Sequence, residues 1–273
     1  MADRPVEDEN SARAALAGTL RYLRERTGKS LGQLAEDTRY DKSYLYRLEA
    51  GERLSKSPVM EDLDAYYGSD GLLVRLWKLA RMEMYKDKYK AFMRYEASAT
   101  IMHKYMQVIP GLLQTEAYAR TVLSMWPDQS GGDELERQVT ARIERQELLR
   151  RTPSPNVRVI LDESVLRCPA PDPKVWADQL LHLVESASRP SITLQVLPMA
   201  AGVHPLRGGS LSVMWQADGS AVAYAEGNAF GELVEDPSEV AKLRLSYDLV
   251  RDMALPPSDS LAFVERILEE NRS

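Results

Sequence analysis

The chain of 273 residues has one cysteine, three histidines and no long apolar run, and each scarcity excludes something. A single cysteine, Cys168, cannot close an intramolecular disulfide or build a cysteine-rich zinc site, and is expected as a small residue beside a strand. No stretch approaches the roughly 18 apolar residues that span a bilayer. The leader MADRPVEDEN is acidic where a secretory signal is basic, so the expected location is cytoplasmic, with no membrane partner. His103 is followed by Lys104 and His182 by Leu183, so neither opens an H-E-x-x-H helix. There is no G-x-S-x-G elbow and no Walker loop. The expectation is therefore a protein that is not an enzyme, with no catalytic set, no metal and no cofactor.

What is present is ordinary globular material, 44% hydrophobic and 28% charged. The net charge of −6 is unevenly spread. Residues 11–82 hold 13 Lys and Arg against 10 Asp and Glu, whereas residues 83–273 hold 21 against 27. A basic excess confined to the N-terminal quarter is compatible with nucleic acid, and its mildness predicts that affinity leans on dimerisation as much as on charge.

The pattern predicts two domains. After a disordered leader over 1–10, Leu16, Leu20 and Leu23 mark a helix ending at Gly28. Ser30 with Gln33 three residues on is a capping-box signature. Asp41 caps a third helix with Leu45 and Leu48 inward and Gly51 at its end, and Pro58 opens a fourth. Leu73, Leu76, Trp77, Ala80 and Met84 repeat at helical spacing in a fifth, which is either a dimer element or a core helix. These make an all-α five-helix domain over 11–82, followed by a connecting helix over 83–95. Beyond it VIPGLLQTEAYA reads as a Pro-Gly loop and a helix capped near Thr115, and Ser130-Gly131-Gly132 breaks the chain before a long charged helix. The runs NVRVILDE, SITLQVLP, SLSVMWQ and AVAYAEG read as strands, and helices open at Asp172-Pro173 and Asp236-Pro237. The expectation for 96–273 is an α+β domain with a mainly antiparallel sheet.

Two short helices joined by a tight turn form a helix-turn-helix, which lays its second helix in the major groove. Lys42, Ser43, Tyr44, Tyr46 and Arg47 are the candidate base contacts left once Leu45 and Leu48 are assigned to the core. Arg47 suits the O6 and N7 of guanine, and Lys42 either does the same or binds phosphate. Ser30 and Gln33 stand where a hydroxyl or amide at a helix start holds a phosphate, unless capping consumes Gln33; Arg53 and Lys56 are further phosphate candidates. In the loop GVHPLRGG, His204 and Arg207 either shape a structural hairpin or line an effector or partner site, and Gln114 in PGLLQT is a third candidate for that role.

The residues Ser30-Leu31-Gly32-Gln33-Leu34-Ala35, Lys42-Ser43-Tyr44-Leu45 and Arg47-Leu48-Glu49-Ala50-Gly51 resemble the Xre/Cro-type helix-turn-helix of repressors, with Arg39 where that family usually has a turn glycine. The succession VIPGLLQTEAYA, RQELL, LDE, TLQVLP and GVHP is similar to the actinobacterial WhiJ-like, antitoxin-like regulators. The resemblance implies a DNA-binding transcriptional regulator acting beside a small protein encoded by the adjacent gene. The leading expectation is a homodimer on a palindromic operator of double-stranded DNA, with a C-terminal domain that binds a small protein or ligand. The alternative is an antitoxin-like interaction module that masks a small partner and uses DNA binding for autoregulation.

Overall fold

The computed structural model describes residues 11–125, 132–228 and 230–271, the side chains of 84–88 and 132 excepted. The leader 1–10 and most of the expected break at Ser130-Gly131-Gly132 lie outside the described residues. The chain divides into two compact units, Met1–Lys88 and Tyr89–Ser273.

The first unit is helical: α1 (Ala12–Arg26), α2 (Leu31–Thr38), α3 (Lys42–Glu49), α4 (Ser57–Tyr67) and the beginning of α5 (Leu72–Ser98). Residues 83–95, expected as a connecting helix, lie within α5. Most of these helices start where a side chain can take otherwise unpaired backbone N–H groups. Ser11 Oγ accepts from Ala14 N at 3.1 Å and Asp41 Oδ1 from Tyr44 N at 2.9 Å. Asp64 does the same from a distance for α5, accepting from Gly71 N at 2.7 Å and Leu73 N at 2.8 Å, with Ser69 Oγ at 2.6 Å. Burial would raise the Asp64 pKa, but these donors outweigh it and hold the carboxyl below its usual range. Leu16, Leu20, Leu34, Leu45, Leu48, Met60, Leu63, Leu73 and Trp77 form the core, each large aliphatic side chain contributing about 2 kcal/mol. Trp77 Nε1 donates to the Ser55 carbonyl at 3.0 Å.

The second unit is a three-layer α/β structure around one six-stranded sheet in the order β3-β2-β1-β4-β5-β6. The strands are β1 (Ile101–Met106), β2 (Asn156–Asp162), β3 (Ile192–Leu197), β4 (Ser210–Trp215), β5 (Ala221–Gly227) and β6 (Phe230–Val234). The expectation of a mainly antiparallel sheet is corrected: β1, β2 and β3 run parallel, and β1, β4, β5 and β6 pair antiparallel. The reason lies in the connections. Helices α6 (Glu116–Ser124) and α7 (Gly132–Glu144) separate β1 from β2, and α8 (Glu163–Arg167) and α9 (Pro173–Ala187) separate β2 from β3. Such crossovers return the chain in the same direction, whereas the short turn from Trp215 to Ala221 reverses it.

Both faces of the sheet are covered, so the strands alternate between two cores. Met102 and Met106, Val157, Val159 and Leu161, and Met214 join Trp176, Leu180, Leu183, Val264 and Ile267, from α9 and α11 (Pro257–Glu270), in one core. Tyr105, Ile160, Leu211 and Val213 join Val240, Tyr247 and Val250 of α10 (Pro237–Met253) in the other. Lys104 occupies an inward position of β1 and is 2% exposed, which only a buried counter-charge makes tolerable. Its Nζ lies 2.7 Å from Glu96 Oε1 near the end of α5, and Arg145 Nε lies 2.6 Å from Glu96 Oε2.

Candidate functional site

The connection between α2 and α3 turns sharply at Arg39, which has φ 59° and ψ 22°, the left-handed conformation that a glycine adopts without cost. Arg39 takes it at a cost, so the turn keeps the geometry its resemblance predicts despite the departure in sequence. Beyond it α3 buries Leu45 at 2% and Leu48 at 3% exposed. The opposite face is open. Lys42 and Tyr46, and Ser43 and Arg47, are i,i+4 pairs, so these four exposed residues form one continuous patch. Arg47 Nε donates to the Ser43 carbonyl at 3.4 Å. Tyr44 is half-buried, packed on the core, with the Arg53 guanidinium 5.2 Å from its ring centre and the Tyr40 ring 6.3 Å away. The structure therefore gives Tyr44 packing and cation–π work at the edge of the patch.

Alignment of the patch is enforced from behind. Glu49, 7% exposed, accepts both contacts of Arg24 Nε, at 2.8 and 3.0 Å, and Arg24 Nη1 donates to the Lys29 carbonyl at 3.0 Å. That pair ties α3 to α1. At the start of α2, Ser30 Oγ accepts from Gln33 N at 3.3 Å and Gln33 Oε1 accepts from Ser30 N at 2.9 Å, a complete capping box. Capping uses the oxygen of Gln33 and leaves its exposed amide N–H groups for an anion, so the two sequence readings of this residue are compatible. Lys56 precedes α4 and makes no side-chain cap, and both Lys56 and Arg53 are exposed.

The second unit contains a cleft of about 490 Å³ lined by Gln107, Asp162, Ser164, Leu197, Pro198, Met199, Gly202, His204 and Arg207. It lies at the carboxyl ends of β1, β2 and β3, where open α/β sheets take their ligands. Asp162 Oδ1 accepts from Ser164 N at 2.9 Å and Ser164 Oγ at 2.5 Å, and Asp162 Oδ2 accepts from Tyr105 Oη at 3.0 Å. Burial pushes the Asp162 pKa up, but the bonds from Ser164 and Tyr105 more than compensate and keep it ionised. His204 Nε2 lies 3.3 Å from Tyr105 Oη, and burial lowers the His204 pKa despite Asp162 nearby. Arg207 is exposed at the rim, where Gln107 Nε2 donates to its carbonyl at 2.9 Å. Gly209 is fixed by packing, since a Cβ there would stand 2.4 Å from the Glu226 carbonyl oxygen.

Residues 89–266, well over half of the chain, match the family model described as Domain of unknown function (DUF5753). The chain belongs to the DUF5753 family. Residues 15–77 match a model described as Helix-turn-helix domain, which makes the α2–α3 unit a DNA-binding type of fold and points to a DNA-binding regulator. No curated protein and no solved structure matches the chain.

Within the DUF5753 region the structure brings His204 and Arg207 together and leaves Gln114 out of their cleft. Gln114 is 3% exposed; its Nε2 donates to the Ile109 carbonyl at 2.7 Å and its Oε1 accepts from Arg142 Nη1 at 3.0 Å. With Gln179, whose Nε2 donates to the Leu113 carbonyl at 2.7 Å, it staples the PGLLQT loop down. Tyr105, Gln107, Asp162 and Ser164 were missed by sequence reasoning. A signal existed for Asp162, an acid ending an apolar strand and capping the next helix. Among the described residues no group of His, Cys, Asp and Glu could hold a metal ion, and no helix is long and apolar enough to cross a membrane.

Proposed function

We propose that this DUF5753 chain is a sequence-specific transcriptional regulator that binds a palindromic operator as a homodimer, with the helix-turn-helix unit reading DNA and the second unit adjusting its affinity in response to a small protein or ligand. The observation that carries this is the patch of Lys42, Ser43, Tyr46 and Arg47 on a rigidly backed α3 in a domain of matching family. In a major-groove docking Arg47 reads guanine and Lys42 reads a base or holds phosphate, while Tyr44 stands at the margin. Ser30, Gln33, Arg53 and Lys56 hold phosphates on either side. A two-fold dimer presents two such helices, so half-sites fall about one helical turn apart or at a multiple of it.

The test is genome-wide recovery of DNA bound to the purified protein at two salt concentrations, with and without the product of the adjacent gene. Discrete palindromic sites whose occupancy responds to that partner are the expected result. Diffuse, salt-sensitive recovery alone would reject sequence-specific regulation and leave the antitoxin-like reading, in which the partner complex is the main task.

A further inference from the structure

A helix with one side in a core and one in water carries polar residues on the wet side, and α10 departs from this. Val240, Tyr247 and Val250 hold its inner side in the core, and Asp236 caps its start by accepting from Ser238 N at 3.0 Å and Glu239 N at 3.1 Å. On the outer side the exposed residues Ala241, Leu245 and Leu249 follow one another four positions apart, so they line up in one row. Leu245 is 65% and Leu249 59% exposed. Single exposed leucines are ordinary, but two on successive turns in line with an alanine make a continuous apolar strip. Among the described residues α10 is the only α-helix that contributes to the core on its face of the sheet, whereas α9 and α11 share the other face. The strip is thus the crest of a lone ridge.

The charges beside the strip say what can cover it. Lys242 lies 2.7 Å from Glu239, Arg251 lies 3.0 Å from both Asp248 and Asp252, and Arg244 lies 3.8 Å from Asp248. These charges cancel, so the helix is neutral in a chain of net charge −6. A second copy, repelled by the chain as a whole, meets no such repulsion here. The charges are also ordered along the helix. Before Leu245, the central residue of Pro237–Met253, Glu239, Lys242 and Arg244 leave one positive charge; after it Asp248, Arg251 and Asp252 leave one negative. The helix dipole adds to that order, about half a positive charge at the start, which the Asp236 carboxylate caps, and half a negative at the end. An antiparallel copy sets each half over its opposite, and a parallel copy sets like over like.

We propose that the strip of Ala241, Leu245 and Leu249 is the surface through which two copies of this chain pair, α10 against α10 in the antiparallel sense, with Leu245 on the two-fold axis. The proposal rests on the reading of the protein as a homodimer and names the face that makes it one. Rows of residues four apart pack along one another with the helices about 8 to 10 Å apart. Each Leu245 then meets its own copy, and Leu249 comes beside the copy's Ala241, a large residue against a small one. The helix is about 25 Å long, so this single pair forms an interface at the small end of the specific range and the free dimer is weak, with a dissociation constant on the order of micromolar.

The experiment uses the full chain without DNA, so its failure leaves the operator test untouched. Sedimentation velocity from about 1 to 200 µM compares the wild type with Leu245→Glu and Leu245→Lys, alone and mixed, with circular dichroism to confirm that each is folded. A residue on the axis faces itself, so either charged variant should weaken the dimer about tenfold or more, and their equimolar mixture should restore it. A second measurement needs no charged residue. With the exposed free Cys168 changed to Ser, Leu245→Cys should cross-link to its copy on oxidation. Ser238→Cys, about 10 Å from the middle of the helix and so about 20 Å from its copy, should not. A dimer indifferent to both charged variants would overturn the proposal and leave the homodimer standing. Failure of the mixture to restore pairing, or equal cross-linking at positions 238 and 245, would also overturn it. So would a wild type monomeric throughout the range; binding of the adjacent gene's product that is lost in Leu245→Glu would then give the strip to that protein instead.

Discussion

Replacing Glu96 by Gln tests whether the buried charge cluster holds the sheet together. The Glu96 side chain is 1% exposed and is shared between Lys104, itself 3% exposed, and Arg145. Glu96→Gln keeps the shape and removes the charge. Lys104 then keeps neutral partners, the amide oxygen, Ser212 Oγ at 3.2 Å and the Phe92 ring 5.3 Å away, and Arg145 loses its carboxylate at bonding distance and keeps Tyr89 Oη at 3.2 Å. Leaving buried cations unpaired costs about 3 to 5 kcal/mol. Burial alone would raise the Glu96 pKa, but Lys104 and Arg145 overcome that and depress it. A depressed carboxylate contributes stability that is complete above its unfolded value of about 4.3 and is lost as pH falls through the folded value. The wild type therefore loses stability below about pH 4.3, and Glu96→Gln removes that share of the acid slope. Native-state hydrogen exchange of the β1 and β4 amides reads this unit separately from the helical one. A second substitution, Lys104→Met in the Glu96→Gln background, removes one stranded cation and recovers part of the loss. A cost below about 1 kcal/mol, or a double variant worse than the single one, would refute the reasoning.

Arg47→Ala should cost about 1 to 3 kcal/mol on the preferred site and relax its sequence preference in competition binding; equal weakening on random DNA would make Arg47 a phosphate contact. Lys56→Ala should weaken all sequences alike and reduce the slope of log affinity against log salt by about 0.9. Arg39→Gly should raise the melting free energy of the helical unit by about 1 kcal/mol by relieving the left-handed strain, a gain seen by circular dichroism; a loss would mean the Arg39 side chain has an essential contact. Burial, then Arg158, push the His103 pKa down to about 4, with Arg244 and Arg251 adding to the effect and Asp248 opposing it. The unfolded chain binds that proton first, so stability should fall between about pH 6.5 and pH 4, by about 1 to 2 kcal/mol once solvent screening of a partly exposed ring is allowed for, and His103→Phe should flatten that window in urea titrations.

The helix starts were legible because caps are local: Ser30 with Gln33, Asp41, Thr115, Asp172 and Asp236 all cap the helices their sequence announces. Strand β1 was not, because Ile101–Met106 carries a lysine and a histidine, and the partner that makes Lys104 tolerable belongs to a different element. Without β1 the other strands looked like hairpins. The clue to the parallel half was the helix between β2 and β3, which demands a crossover. The exposed patch of α3 followed from its periodicity, whereas Tyr105, Asp162 and His204 meet only in the folded second unit, with His204 99 positions after Tyr105.

The strand order also sets a timetable for synthesis. Ile101 lies beside Asn156 and Trp215, so β1 emerges 114 positions ahead of the last residue it needs. At roughly 5 to 20 residues per second the ribosome takes about 6 to 23 s to supply it. Every contact inside the helical unit closes within its first 88 positions, so that unit can be complete while β1 still leaves Met102, Tyr105 and Met106 uncovered. The nascent chain thus holds a finished helix-turn-helix module joined to an unpaired strand, and chaperone demand should peak in that interval and end when β4 arrives.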